Sequence, residues 1–196
     1  VKDILQNLLF VILCLSGVFF VRESVVEGFR IPSQSMSPTL EVNDYILVFK
    51  LAYGFKPPFF SKPIIKWRPP ARGVPIVFVR DDDPSTKTDE SANHIIKRVI
   101  GLPGEKVEIV GRKVFINDSE LSESYATWKR NNPEFEHYGP VTVPPTGLFV
   151  LGDNRDESQD SRFWGDQPFV SIDKVIGRAF LIYYSKQYSR FGKVIN

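Results

Sequence analysis

The chain has 196 residues, with 25 basic and 23 acidic side chains, a net charge of +2 and no run of five like charges. That balance excludes the basic stripe of a nucleic-acid binder, and the single cysteine, Cys14, excludes an intramolecular disulfide or a cysteine-based metal site. The 15 prolines are dispersed among apolar runs rather than gathered in a low-complexity tract, which points to one folded, loop-rich domain with an appendage.

The appendage comes first. Residues 4–21 run for 18 positions without a charge. A helix of that length spans about 27 Å, close to the roughly 30 Å hydrocarbon core of a bilayer. The run is longer than the apolar core of a cleaved signal peptide, and it ends in Val21-Arg22-Glu23-Ser24 without a small-residue cleavage site. A buried helix would show a polar face and an amphipathic surface helix a charged one. A spanning anchor over residues 1–22 is therefore expected ahead of a domain over 23–196, with a cut signal peptide and a buried helix as the alternatives. Lys2 with Asp3 before the span, and Arg22 with Glu23 after it, leave the lysine and arginine rule balanced, so charge does not orient the anchor.

Beyond residue 22 the signals are strand and turn. Tyr45–Phe49 and 76–79 are short apolar runs rich in strand-favouring residues. Residues 107–116 alternate and turn in two residues at Gly111-Arg112, the pattern of a hairpin. Runs at 141–143, 148–151 and 175–184 complete the set, and helical periodicity is weak outside the anchor. The spacing predicts a mainly β, antiparallel domain. Residues 81–91 are acidic and apolar-poor, the composition of a solvated loop. Residues 54–70 carry Phe55, Phe59, Phe60, Ile64, Ile65 and Trp67 among prolines and cations. They form either a proline-bent loop packed on its own domain or a patch facing membrane headgroups.

Three segments carry chemistry. Ser33-Gln34-Ser35-Met36-Ser37-Pro38-Thr39-Leu40 places hydroxyls on a proline-constrained turn just beyond the anchor. Lys97-Arg98 leads into Gly101-Leu102-Pro103-Gly104-Glu105, and Gly152-Asp153-Asn154-Arg155-Asp156 runs on to Asp160-Ser161-Arg162. In this order, from about Phe29 to Phe180, they resemble the type I signal peptidases, membrane-bound Ser/Lys proteases that remove signal peptides from exported proteins.

The residue chemistry agrees with that resemblance. A serine is a weak nucleophile until an adjacent base takes its proton. Histidine is the usual base, yet His94 and His137 sit in no recognisable triad context. A lysine can serve where burial disfavours its ammonium. Lys97 fits, flanked by Ile95, Ile96, Val99 and Ile100, with Arg98 on the opposite face of the strand. Taken alone, such a lysine is more often a strand-edge residue with its ammonium in water. The match of residues 94–105 to the family segment reverses that preference.

The resemblance implies Ser35 as nucleophile, because it directly precedes Met36, and Lys97 as base. It implies that the Ser33 hydroxyl joins the Ser35 backbone N–H in an oxyanion hole; a plain turn hydroxyl is the alternative. Ser158 matches the serine that positions the lysine amine, and Asp153, Asp160 and Arg162 match an ion-pair network supporting that loop. Asp153 or Asp160 as a direct acid is disfavoured, because an adjacent carboxylate would hold Lys97 as an ammonium. Phe29, Ile31, Pro32, Ile46 and Ile96 resemble the apolar pockets for small side chains at the first and third positions before the cut, with core packing as their other role. Arg72-Gly73-Val74-Pro75 departs from the frequent Arg-Gly-Asp and puts one loop contact in doubt.

By the same resemblance the partners are signal peptides of exported pre-proteins and membrane lipid, with no nucleic acid, no cofactor and no metal. The setting is the plasma (inner) membrane with the catalytic domain on the trans side, or a thylakoid membrane. A self-cleaving repressor would carry a DNA-binding domain where the span lies. A mitochondrial inner-membrane peptidase shares the chemistry, and a tethered binding module has no reason to combine Ser35, Lys97 and Ser158.

Overall fold

The computed structural model describes residues 2–60, 63–80, 94–129 and 136–196; the predicted loop at 81–91 lies outside them. The first element is α1 (Lys2–Ser24), 23 residues and about 34 Å long at the usual rise. Its apolar window has a mean hydropathy of 2.4 with none of it buried, so by length and composition it can cross a membrane.

Thirteen strands follow among the described residues: β1 (Val26–Arg30), β2 (Tyr45–Phe49), β3 (Gly54–Phe55), β4 (Ile65–Lys66), β5 (Pro75–Val79), β6 (His94–Gly101), β7 (Lys106–Val110), β8 (Lys113–Ile116), β9 (Ser119–Glu120), β10 (His137–Thr142), β11 (Gly147–Leu151), β12 (Val170–Ser171) and β13 (Val175–Tyr184). The domain is mainly β, and every strand pairing within it is antiparallel, as the alternation predicts. One sheet runs β1-β2-β13-β5-β6-β11-β12, a second β10-β7-β8-β9, and β3-β4 form a small third. The predicted hairpin is β7–β8, where Gly111 and Arg112 both take positive φ, as a two-residue turn of this hand requires.

Strand β1 has no counterpart among the predicted elements. Glu27, Gly28 and Arg30 interrupt its apolar alternation, and pairing with β2 supplies what propensity does not. The omission matters, because β1 feeds directly into the Ser35 turn.

The seven-stranded sheet curls. Phe29 of β1 and Ile96 of β6 stand four strands apart in its order, yet both pack on one cluster built from Ile31, Met36, Leu40, Ile46, Val48 and Val77. A second cluster (Ile76, Phe78, Val99, Leu148, Val150) seals β5, β6 and β11, and a third (Ile100, Val107, Ile109, Val114, Phe149) joins the two large sheets. Gly101 sits in that joint, where an added Cβ would press on Val107 and Phe149, so only glycine fits.

Candidate active site

The Ser35 turn is held by apolar anchors and a buried ion pair. Met36 and Leu40 are fully buried, and the Leu40 N–H donates to the Met36 carbonyl at 2.8 Å. The apolar positions flanking the serine therefore root the turn in the core. Beyond it, Arg190 donates to Asp44 at 2.6 Å and to the Thr39 carbonyl at 2.9 Å. Burial alone would raise the Asp44 pKa, but the Arg190 guanidinium and the Glu41 N–H hold it below the usual range.

Ser35 and Lys97, 62 positions apart, meet here: Lys97 Nζ lies 2.8 Å from Ser35 Oγ, with the two residues 4% and 6% exposed. Burial brings the Lys97 pKa down from 10.5 to about 8, with Asp160 and Asp153 opposing and Arg162 assisting. Each carboxylate has a guanidinium of its own. Asp153 takes a bidentate pair from Arg98 at 2.8 and 2.7 Å. Asp160 takes one from Arg162 at 2.8 and 2.9 Å, and also accepts from the Gly152 N–H at 3.0 Å. Burial would raise the Asp160 pKa; Arg162 and these donors keep it lowered. With both acids so engaged, their pull on Lys97 is too weak to cancel desolvation.

Ser33, on the exposed side of the turn, donates to Ser35 Oγ at 3.3 Å. Ser158 is buried beside the same turn. Its hydroxyl is close enough to Asp160 to favour the carboxylate, yet it makes no hydrogen bond of normal geometry, and so none to Lys97. Phe29, Ile31, Pro32, Ile46 and Ile96 line one small pocket of about 80 Å³ together with Arg30, Val77 and His94. The register explains the grouping: Phe29 faces Ile46 across β1–β2, and Val77 faces Ile96 across β5–β6.

Several functional neighbours carry no sequence signal. Segment 121–129 straps the 152–156 loop from outside. Glu123 pairs with the buried Arg155 at 2.8 and 2.6 Å, Tyr125 lies 4.0 Å from the Arg98 guanidinium, and Thr127 bridges Asn154 in parallel. Asn154 in turn grips the Ser35 turn, its N–H donating to the Ser35 carbonyl at 3.1 Å and its amide to the Gln34 carbonyl at 3.2 Å. Polar residues without periodicity carry no local signal for this strap. The departing Arg72 pairs instead with Glu105 and donates to the Ile100 carbonyl.

Gly152 is where this loop and the Ser35 turn touch. A Cβ there would overlap Ser158 Oγ and the Ser35 carbonyl oxygen. Gly152→Ala is expected to displace the Ser35 turn, lowering kcat by at least about 10² and stability by about 1–3 kcal/mol. Steady-state kinetics beside chemical denaturation checks this; wild-type kcat in the variant would mean that the contact does not position Ser35.

Comparison with known proteins follows the same lines. The family model described as signal peptidase, peptidase S26, matches residues 3–184. A signal peptidase I from Leptolyngbya laminosa is 40% identical, covering 84% of this chain and 71% of its own length. One from Pseudomonas fluorescens is 34% identical, covering 86% and 68%. A solved signal peptidase I from Enterococcus faecalis has 34% identity and a TM-score of 0.44, covering 57% of this chain and 97% of the other. With the family matched over nearly its whole length, this chain belongs to the S26 signal peptidases, the signal peptidase I serine peptidases.

Proposed function

We propose that the protein cleaves signal peptides from exported pre-proteins after small residues at the first and third positions before the cut, with Ser35 as nucleophile and Lys97 as its general base. The observation that carries this is the 2.8 Å Lys97–Ser35 contact in a buried setting that lowers the lysine pKa to about 8. Neutral Lys97 takes the Ser35 hydroxyl proton as Oγ bonds to the scissile carbonyl carbon. The negative charge moves to the carbonyl oxygen, received by the Ser35 N–H and by Ser33 once its hydroxyl turns from Ser35 Oγ. The Lys97 ammonium then gives its proton to the leaving nitrogen as the C–N bond breaks. Water, deprotonated by Lys97, releases the acyl group, and the proton returns to Ser35. Ser158, one rotation from the ion-pair network, is the hydroxyl available to orient the amine as it shuttles.

The small pocket bounded by Phe29, Ile31, Pro32, Ile46 and Ile96 supports a preference for small side chains, since about 80 Å³ leaves no room for a long one. Residues 1–22 form the anchor and 23–196 the catalytic domain, on the trans side of the plasma membrane, or of a thylakoid membrane in a cell that has one. Supporting this placement, the Phe19 and Phe20 rings of α1 pack on Phe59 and Phe55 at 5.8 and 6.3 Å. Phe55 and Phe59 thus stand at the anchor's end, with Phe59 95% exposed and suited to the headgroup layer. The test is to incubate purified protein in detergent with a pre-protein and sequence the new N-terminus. Cleavage after small residues, lost in Ser35→Ala, is expected; a cut elsewhere, or one that survives the substitution, overturns the proposal.

A further inference from the structure

A cavity of about 800 Å³ lies between Glu23 at the end of α1, strands β3 and β4, and the start of β13. Neither Ser35 nor Lys97 lines it. Its charge is lopsided. Glu27 is taken by Lys50 at 2.9 Å and Asp173 by Lys66, which leaves Glu23 against Lys56, Arg68 and Lys174. At one wall stand donors without acceptors. The Tyr53 hydroxyl and Arg178 Nε are both buried, and neither has a hydrogen-bond partner among the described residues. They lie close enough that Arg178, with Arg68, opposes the burial that pushes the Tyr53 pKa up to about 12. Arg68 Nε and the Trp67 indole N–H both donate to the Ala52 carbonyl, at 3.1 and 3.3 Å, which fixes the two side chains at the rim. Buried donors left unpaired are costly, and such donors beside surplus guanidinium charge suit a phosphate oxygen.

Location selects the anion. In the proposed placement Glu23 marks the bilayer surface, and one turn earlier Phe19 and Phe20 pack on Phe59 and Phe55. The cavity therefore opens at the depth of lipid headgroups, where the half-exposed Trp67 ring is at home. We propose that it is a headgroup site for an anionic glycerophospholipid. The phosphate accepts from the Tyr53 hydroxyl and the Arg68 guanidinium, with Arg178 behind them, and the acyl chains run down past Phe59 along α1. An exposed phenylalanine rests on any bilayer, whereas these donors discriminate by charge. A zwitterionic lipid brings a cation of its own toward Arg68 and Lys56 and gains less.

The site rests on the proposed placement of the domain at the bilayer surface, and one experiment separates the two. Full-length protein is reconstituted into phosphatidylcholine vesicles holding a minor share of phosphatidylglycerol, with bromine on the acyl chains of one lipid or the other. Bromine quenches a tryptophan that it touches, so Trp67 reports its neighbouring lipid. A Trp67→Phe variant supplies the signal of Trp128 and Trp164 for subtraction. Per molecule, phosphatidylglycerol is expected to be preferred at least about fivefold. That preference should fall at least about threefold in Tyr53→Phe and in Arg68→Gln. Tyr53→Phe changes no charge, so a diffuse surface attraction would not register it. A preference that both variants keep overturns the site. Equal quenching by the two lipids overturns the site while the placement stands, and no quenching by either overturns the placement as well. Glycerol 3-phosphate that abolishes the preference at the concentration of the lipid overturns the lipid as occupant in favour of a soluble phosphate.

Discussion

Lys97→Met is expected to lower kcat/KM by at least about 10³ while making the folded domain more stable near neutral pH. Methionine keeps the length of the side chain but cannot accept the Ser35 proton, so the loss of activity follows from the chemistry. The gain in stability follows from linkage. In the folded protein burial lowers the Lys97 pKa to about 8, against 10.5 for the exposed side chain. Between those values the unfolded chain binds more protons than the folded one, so stability rises with pH across that window. Below about pH 8 the folded protein carries a buried ammonium and bears the whole penalty, about 3 kcal/mol for a shift of this size. The lost contact to Ser35 offsets roughly 1 kcal/mol of the gain. Unfolding followed at pH 7 and at pH 10.5 should find the variant about 2 kcal/mol more stable at the lower pH only. A variant no more stable than wild type at pH 7 would mean that Lys97 is not strained by burial.

A second large effect is expected from Arg162→Gln. Asp160 is the strongest electrostatic influence holding Lys97 protonated, and Arg162, bidentate on Asp160, both neutralises it and repels the ammonium. Loss of the guanidinium leaves a buried carboxylate without its partner. Stability should fall by about 3–5 kcal/mol, and the Lys97 pKa should rise by about one unit. The basic-going limb of kcat/KM then moves to higher pH, and activity at pH 7 drops about tenfold. Adding Asp160→Asn removes the offending charge, so the double variant should return the limb toward its wild-type position. Arg162→Gln with an unmoved pH profile would show that the pair supports the loop without tuning the base.

The expectations for this site came from three short segments and their resemblance to a family, and the structure brings Ser35 and Lys97 from two of them together. Met36 and Leu40 close to Ser35, and Val99 and Ile100 beyond Lys97, are local apolar patterns whose burial follows from their character. Long-range consequences of sheet curvature were not legible. That Phe29 would meet His94 and share a cluster with Ile96 depends on how far the sheet curls between β1 and β6, which no local propensity encodes. The strap through Glu123, Tyr125 and Thr127 was invisible because irregular backbone docked by side-chain hydrogen bonds has no period to detect. Strand β1 failed the alternation test, since an edge strand carrying Glu27, Gly28 and Arg30 is specified by its partner rather than by itself.

The central claim, that a buried neutral lysine activates Ser35, is tested most directly by the pH dependence of kcat/KM for the wild-type enzyme on a pre-protein, which reports ionisations of the free enzyme. Activity is expected to rise with pH as a single ionisation with its midpoint near 8, the value to which burial brings Lys97. A midpoint near about 6.5, as for a histidine base, or near about 10.4, as for a lysine in water, would contradict it.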